Sequence, residues 1–213
     1  MKKLIRCRGF VGVLGCAMFL LGLWLYNDKS EESLRDLQES LADSIVRFHV
    51  ISAGDSDEEQ SLKLMVKNAV IDMLEEELSD ASSKEETLEK LSMLTPEIIA
   101  LAKATLKENG SDLSVSAAVC DNCFFPIKTY GDLTLPAGEY TAYRIVLGEG
   151  EGTNWWCVLY PRLCFVDAAY GVVPEESKED FKALLDETEY NAIFGKNVKF
   201  KFKFLSFLNE LFA

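Results

Sequence analysis

The stretch SIVRFHVISAGDSDEEQSLKLMVKNAV, residues 44–70, contains the clearest change of pattern in the chain. Its first part, SIVRFHVIS, is β-branched and partly alternating, with Val46, Phe48 and Val50 on one face, which predicts a strand. The loop GDSDEEQ then offers Ser56 or Asp57 as a helix cap. Apolar residues follow at helical spacing, so the stretch predicts a strand that leads directly into an amphipathic helix: Leu62, Met65, Val66, Ala69, Val70, Met73 and Leu74.

The pattern remains helical downstream and then becomes strand-like. A second helical stretch begins near Lys84, and Pro96 predicts a restart of the helix after a Thr95 cap. Asn109-Gly110 is typical of a left-handed helix end. Beyond it, apolar residues alternate from Leu113 to Val119, which predicts a strand. Three further strands are expected within residues 124–129, 140–147 and 155–160.

The C-terminal part adds an acidic helix, expected from Glu175 to about Glu189. The final residues, NVKFKFKFLSFLNELFA at 197–213, alternate Lys with Phe and fit either an added strand or a segment lying on a membrane. The order of elements predicts a single α+β domain over 44–213, with helices packed on one face of a mostly antiparallel sheet.

The N-terminus has the pattern of an export segment. Four basic residues precede an uncharged run from Gly9 to Tyr26, long enough as a helix to cross most of a bilayer core. We therefore interpret residues 1–26 as a signal anchor or signal peptide, followed by a polar spacer at 27–43. Lipoprotein processing at Cys16 is a third alternative. The basic end should stay in the cytoplasm, which places the rest of the chain outside.

The charge of the remaining chain argues against one class of partner. The chain has 22 basic and 35 acidic residues, a net charge of −13. Without the four basic residues of the export segment, 18 basic residues remain against 35 acidic ones, a net charge of −17. Because a chain this acidic repels phosphate backbones, we do not expect it to bind nucleic acid.

The cysteines and the single histidine are the candidates for chemistry. Cys120 and Cys123 form a CxxC pair, while Cys157 and Cys164 flank a loop that turns at Pro161. Structural disulfides suit an exported protein, with a zinc site or redox chemistry as alternatives for the first pair. A free Cys157 acting as a nucleophile with His49 would instead indicate a thiol-dependent hydrolase. No cofactor or metal is predicted.

Two further features lie between the predicted strands. GEGEG, residues 148–152, lacks the Lys-Ser/Thr ending of a phosphate loop, so it is better interpreted as a flexible turn. Trp155 and Trp156 are adjacent and must face opposite sides of a strand. One is expected in the core and the other exposed, as an anchor of the kind enriched at binding hot spots.

Three stretches together resemble the stage II sporulation protein R family of endospore-forming bacteria. They are RFHVISAGDSDEEQSLKLMVKNAV (47–70), YGDLTLPAGEY (130–140) and GEGEGTNWWCVLYPRLCFVD (148–167). The third is the most specific, because a tandem Trp followed by two spaced Cys is hard to reach by chance. The resemblance covers roughly residues 45 to 170.

The resemblance implies a function outside the cytoplasm. Members of this family are made in the forespore, are exported across its membrane and act between the two membranes. There they switch on a membrane-embedded aspartic protease, which cleaves the precursor of sigma-E. The resemblance therefore implies a signalling protein rather than an enzyme. We place the expected partner-binding surface in the second and third stretches, at Tyr130, Gly131, Asp132, Glu139, Tyr140, Asn154, Trp155 and Trp156.

Overall fold

The computed structural model describes residues 32–164 and 172–194 of the 213. The chain divides into two units, Met1–Glu39 and Ser40–Ala213. In the first unit, residues 32–39 are helical, and Nε of Arg35 contacts Oε1 of Glu39 at 2.8 Å. The predicted export segment (1–26) and the Lys/Phe segment (197–213) lie outside the described residues. Within the described ranges, no helix has the length and apolarity needed to cross a membrane.

Residues 44–70 fold into a strand followed by a helix, as the sequence predicts. The helical residues 32–44 form α1, β1 is Val46–Ile51, and α2 is Asp57–Glu77. Ser56 caps α2 through a reciprocal capping box: its hydroxyl accepts from the Glu59 amide, and the Glu59 carboxylate accepts from the Ser56 amide. These bonds satisfy amides that the first turn of a helix leaves free.

Helix α3 runs unbroken over Lys84–Glu108, so the predicted restart at Pro96 is wrong. Proline removes one backbone donor, but Leu91 and Ile98, on either side of it, are fully buried and hold the helix in place. The hydroxyl of Thr95 donates to the Leu91 carbonyl at 2.7 Å instead of capping a new helix. The predicted end of the helix is confirmed, because Gly110 has a φ of 78°.

The strands form two sheets. The main sheet contains β2 (Val115–Phe125), β5 (Gly138–Leu147), β1 and β6 (Asn154–Tyr160), in that order. Only the β1–β5 pairing is parallel, so the predicted α+β fold with a mostly antiparallel sheet is confirmed. The strand expected within 124–129 is divided between the end of β2 and a short strand, β3 (Lys128–Tyr130). The sequence did not predict that β3 forms a small hairpin with β4 (Leu133–Leu135).

The predicted placement of the helices holds only for two of them. Helices α2 and α3 cover one face of the main sheet and enclose the core with Phe48, Tyr143 and Ile145. The predicted acidic helix is two helices, α4 (Glu175–Leu184) and α5 (Glu187–Ile193), because Leu185 is extended and Asp186 caps a new helix. These two lie beside the β3–β4 hairpin, where Phe194 forms a bridge with Leu133.

Strand β1 therefore has two differently covered faces. We call the side that carries Val46, Phe48 and Val50 the helix-covered face, since these residues belong to the core beneath α2 and α3. Because side chains alternate along a strand, Arg47 and His49 point to the opposite side, which we call the arginine face.

Candidate functional site

Arg47 is the most unusual residue of the arginine face, because its charged side chain is fully buried. Its Nε donates to the carbonyl oxygen of Cys157 at 3.1 Å, and its Nη2 donates to the hydroxyl of Tyr130 at 3.2 Å. Within residues 32–164 and 172–194, its Nη1 has no hydrogen-bond acceptor and no carboxylate forms an ion pair with it. A guanidinium stays protonated in proteins, so this is a buried charge without a counter-charge among the residues that the structure describes.

Two aromatic rings lie against the guanidinium. Its Cζ lies 4.2 Å from the ring centroid of Phe125 and 5.0 Å from that of Tyr140. Both rings are buried and pack edge to face, with centroids 5.9 Å apart. Cation–π attraction offsets part of the cost of burying the charge. Burial also raises the pKa of the Tyr140 hydroxyl to about 12, so this residue supplies no negative charge at neutral pH.

His49 lies beside this guanidinium in an equally apolar setting. Its ring stacks on Trp156 with centroids 5.0 Å apart and planes at 12°, and Phe125 lies 5.2 Å away. Burial, together with the positive charges of Arg144 and Arg47, lowers the pKa of His49 to about 4. The imidazole is therefore neutral at pH 7, with one donor and one acceptor. Neither ring nitrogen has a hydrogen-bond partner in the described part of the chain.

The three stretches that resemble the sporulation family meet at this point. The first supplies Arg47, the second supplies the hydroxyl of Tyr130 and the ring of Tyr140, and the third supplies the carbonyl of Cys157. We call the group around the guanidinium the arginine cluster; its members are Arg47, His49, Phe125, Tyr130, Tyr140 and Trp156.

Three of the predicted partner-binding residues belong to this cluster: Tyr130, Tyr140 and Trp156. Trp155 and Trp156 face opposite sides of β6, as the sequence predicts, and both are only partly exposed. Trp155 lies on the helix-covered face, where its ring packs edge to face on Phe48 at 5.8 Å and Nζ of Lys67 lies 5.0 Å from its centroid. Trp155 therefore contributes to the core.

The other predicted partner-binding residues are not members of the cluster. Asp132 follows Gly131 in the turn of the β3–β4 hairpin, where it accepts from the Val173 amide at 2.8 Å and pairs with Lys178 at 3.0 Å. Glu139 is exposed near the start of β5, and Asn154 begins β6.

Sequence reasoning did not select Arg47, His49 or Phe125 as part of a partner-binding surface. The available signal was the pair of ionisable residues that alternates with Val46, Phe48 and Val50 in a strand of the main sheet. Such a strand is expected to be apolar on both faces when both are covered.

The glycine-rich segment at 148–152 joins β5 to β6 across the end of β1, which confirms its position between two strands. The amide of Gly152 donates to the Ser52 carbonyl at 2.9 Å, and a Cβ at this position would lie 2.2 Å from the carbonyl oxygen of Gly54. Only glycine allows this approach. Oδ1 of Asp55 accepts from the Thr153 amide at 2.7 Å. The first and third stretches are thus also joined at this end of the sheet.

The two cysteine pairs differ in the structure. Cys120 and Cys123 form a disulfide, at a point where the β2–β5 register shifts and Asn122 adopts a left-handed φ of 56°. Cys157 and Cys164 are buried thiols, so the bridge expected between them is not formed in the structure. Burial and a hydrogen bond with Cys157 raise the pKa of the Cys164 thiol, which donates to the Val158 carbonyl at 2.8 Å.

The strand register separates the two residues proposed as a thiol-hydrolase pair. His49 lies opposite Trp156, whereas Cys157 lies opposite Phe48. Directly opposed residues share a face, so the Cys157 thiol belongs to the helix-covered face and the His49 imidazole to the arginine face. The Cys–His pair that a thiol hydrolase requires is therefore not assembled from these residues. In the described ranges, no group of three or more His, Cys, Asp or Glu side chains is placed to hold a metal ion.

Comparison with known proteins agrees with the resemblance. The family described as Stage II sporulation protein R (spore_II_R) matches residues 42–170. A protein of Bacillus subtilis (strain 168) named Stage II sporulation protein R is 40% identical over 149 residues, which cover 70% of this chain and 66% of that protein. The chain thus spans slightly less than two thirds of that relative. No solved structure matches. The chain belongs to the stage II sporulation protein R family.

Proposed function

We propose that this chain is an extracytoplasmic signalling protein that activates a membrane-embedded aspartic protease, which in turn processes the precursor of sigma-E. Family membership supports this proposal, together with one structural observation: the three family stretches converge on the buried arginine cluster. A surface that only stabilised the fold would not need a buried charge that lacks a counter-charge among the described residues, since apolar residues of similar volume serve stability at least as well.

The proposed mechanism is differential binding. A ligand shifts the equilibrium of its receptor only by the amount by which it prefers the active state. Within the described residues, Trp156 and Lys128 lie at the exposed side of the arginine cluster: both side chains are partly exposed, and Nζ of Lys128 lies 5.8 Å from the Trp156 ring centroid. We propose that the protease contacts the chain here.

The proposed location follows the export pattern of residues 1–26, whose uncharged run follows a basic head. We propose that this segment anchors the chain in the forespore membrane or is removed after export. The folded domain then acts in the space between forespore and mother cell, where it meets the protease.

The decisive experiment reconstitutes the signal in a bacterial host that does not sporulate. The host makes the protease and the sigma-E precursor, and exports this chain or one of its variants; precursor cleavage is followed by immunoblot. We expect cleavage to require the chain and to be lost in Trp156→Ala. The matched control is Met93→Ala, in which an apolar side chain of α3 that is 65% exposed is removed; it should cleave like the wild type.

A further variant separates signalling from enzymatic action. Cys157→Ser replaces one atom of a buried thiol and should leave precursor cleavage intact, since no catalytic pair forms there. Loss of cleavage in Cys157→Ser, with export and thermal stability unchanged, would instead favour the hydrolase. No cleavage with wild-type chain that is folded and exported would refute the proposed function.

A further inference from the structure

The unsatisfied polar atoms of the arginine face lie on two neighbouring side chains. Nη1 of Arg47 and both ring nitrogens of His49 are buried and have no hydrogen-bond partner in the described ranges. The two residues are separated by a single position on β1, so their side chains point to the same side. Native proteins satisfy nearly all buried polar groups, and those left over call for an explanation.

The charge at this position is positive. Arg47 is buried, Arg144 lies opposite His49 on β5 and is exposed, and Lys128 lies above Trp156. This is a local excess of positive charge in a chain whose formal net charge is −13. An anion that approaches the arginine face is therefore attracted locally, while the rest of the chain repels it.

The geometry favours one class of anion. A guanidinium matches a planar carboxylate through charge-assisted hydrogen bonds, and Nη1 of Arg47 still has donors to offer. The neutral imidazole of His49 can donate one more. A phosphate dianion requires more than the one buried positive charge present, because each desolvated charge needs its own compensation. The flanking rings of Phe125 and Trp156 suit the apolar stem that carries a carboxylate.

We infer that the arginine cluster is a carboxylate-binding site, and that its ligand is an Asp or Glu side chain presented by a segment of a partner protein. The inference rests on the proposed function only for the identity of the partner, which would be the protease. Carboxylate recognition belongs to the chain alone and can be measured without any protease.

The test uses the full chain, purified in a neutral detergent and a Tris-chloride buffer. NMR follows the side-chain resonances of Arg47 Nε–Hε and of His49 during titration with sodium acetate, and with sodium chloride at equal ionic strength. Two blocked peptides, Ala-Asp-Ala and Ala-Asn-Ala, differ only in the carboxylate. We expect acetate and the Asp peptide to shift both residues, and chloride and the Asn peptide to leave them unchanged.

Two variants of the site and one control show whether a loss of binding comes from the site itself or from misfolding. Arg47→Met should weaken binding of the Asp peptide by about tenfold or more, because a charge-assisted hydrogen bond is lost. His49→Phe keeps the ring stack on Trp156 and removes only the imidazole nitrogens, so a smaller loss is expected. Met93→Ala, which shortens an exposed side chain of α3, should bind the Asp peptide like the wild type.

Each outcome bears on the inference. Equal shifts with acetate and chloride, or none in any titration, would overturn carboxylate recognition. Shifts with acetate but not with the Asp peptide would overturn the protein segment as the source and leave a free small carboxylate. Binding of the Asp peptide by a chain that fails to activate the protease would support the site and count against the proposed function.

Discussion

The two faces of β1 differ in the kind of side chain that they bury. On the helix-covered face, Val46, Phe48 and Val50 are fully buried beneath α2 and α3 and make aliphatic and aromatic contacts. On the arginine face of the same strand, Arg47 is equally buried, but its Nη1 has no hydrogen-bond partner in the described part of the chain. Burial of apolar area stabilises a fold, whereas burial of an unpaired charge opposes it. The difference is the basis of our proposal that the arginine face serves recognition, while the helix-covered face serves stability.

The largest effect is expected on the helix-covered face. Phe48→Ala removes a fully buried ring that contacts Tyr143 and Trp155, and should lower the free energy of unfolding by about 3–5 kcal/mol. Urea titration measures this loss. The exposed control Met93→Ala should change stability by less than about 0.5 kcal/mol. A loss below about 1 kcal/mol for Phe48→Ala would show that this face is not the main core.

The next effect is a pH dependence that belongs to the arginine face. His49 is the one histidine of the chain, and its pKa is lowered to about 4 by burial and by the charges of Arg144 and Arg47. As the pH falls below about 6.5, His49 binds a proton in the unfolded chain but remains neutral in the folded chain, so protonation favours unfolding. The contribution of His49 to the free energy of unfolding should fall by about 3 kcal/mol between pH 6.5 and 4 and level off below that.

Comparison with His49→Phe isolates this contribution. The free energy of unfolding of both chains is measured by urea titration at several pH values. Protonation of the carboxylates affects both chains equally, so the difference between their free energies of unfolding reports on His49 alone. We expect the difference to grow steadily as the pH falls from 6.5. A difference that stays constant over this range would mean that the imidazole is solvated in the folded chain.

Much of the helix-covered face could be predicted from the sequence, because its signals are local. The alternation of Val46, Phe48 and Val50, the capping box at Ser56 and the Asn109-Gly110 ending each depend on nearby residues. The error at Pro96 has the opposite cause. Pro96 is a helix breaker by its local properties, but the helix continues through it because Leu91 and Ile98 are packed in the core. The residues against which they pack are distant in the sequence, so a local pattern cannot show this packing.

The arginine cluster could be predicted only in part. Tyr130, Tyr140 and Trp156 were selected because they lie in stretches that resemble the family. Their convergence on Arg47 depends on strand order, in particular on β1 lying between β5 and β6. Pairings between residues about 80 to 110 positions apart, as between Arg47 and Tyr130 or Cys157, leave no periodic trace in the sequence.

A third prediction separates stability from function on the arginine face. Arg47→Met keeps roughly the same volume and removes the buried charge, but it also leaves the Cys157 carbonyl and the Tyr130 hydroxyl without their donor. Because these two effects oppose each other, we expect the free energy of unfolding to change by at most about 1–2 kcal/mol while precursor cleavage is lost. The matched control is Lys63→Met, which removes a buried but satisfied amine: Nζ of Lys63 donates to the Thr153 carbonyl at 3.0 Å. This control should lose about 1 kcal/mol. A large destabilisation of Arg47→Met would make the guanidinium a structural group.

The smallest effect tests whether charge alone distinguishes the two faces. Each face has a buried tyrosine with one neutral hydrogen bond: Tyr143 with the Thr95 hydroxyl on the helix-covered face, and Tyr140 to the Pro136 carbonyl on the arginine face, both at 2.9 Å. Tyr143→Phe and Tyr140→Phe should each lower the free energy of unfolding by about 1 kcal/mol, measured by urea titration. Equal losses place the difference between the faces in the charge of Arg47. A clearly larger loss for Tyr140→Phe would mean that the whole arginine cluster acts as one cooperative hydrogen-bond network, in which the Tyr140 hydroxyl helps to hold the ring against the guanidinium.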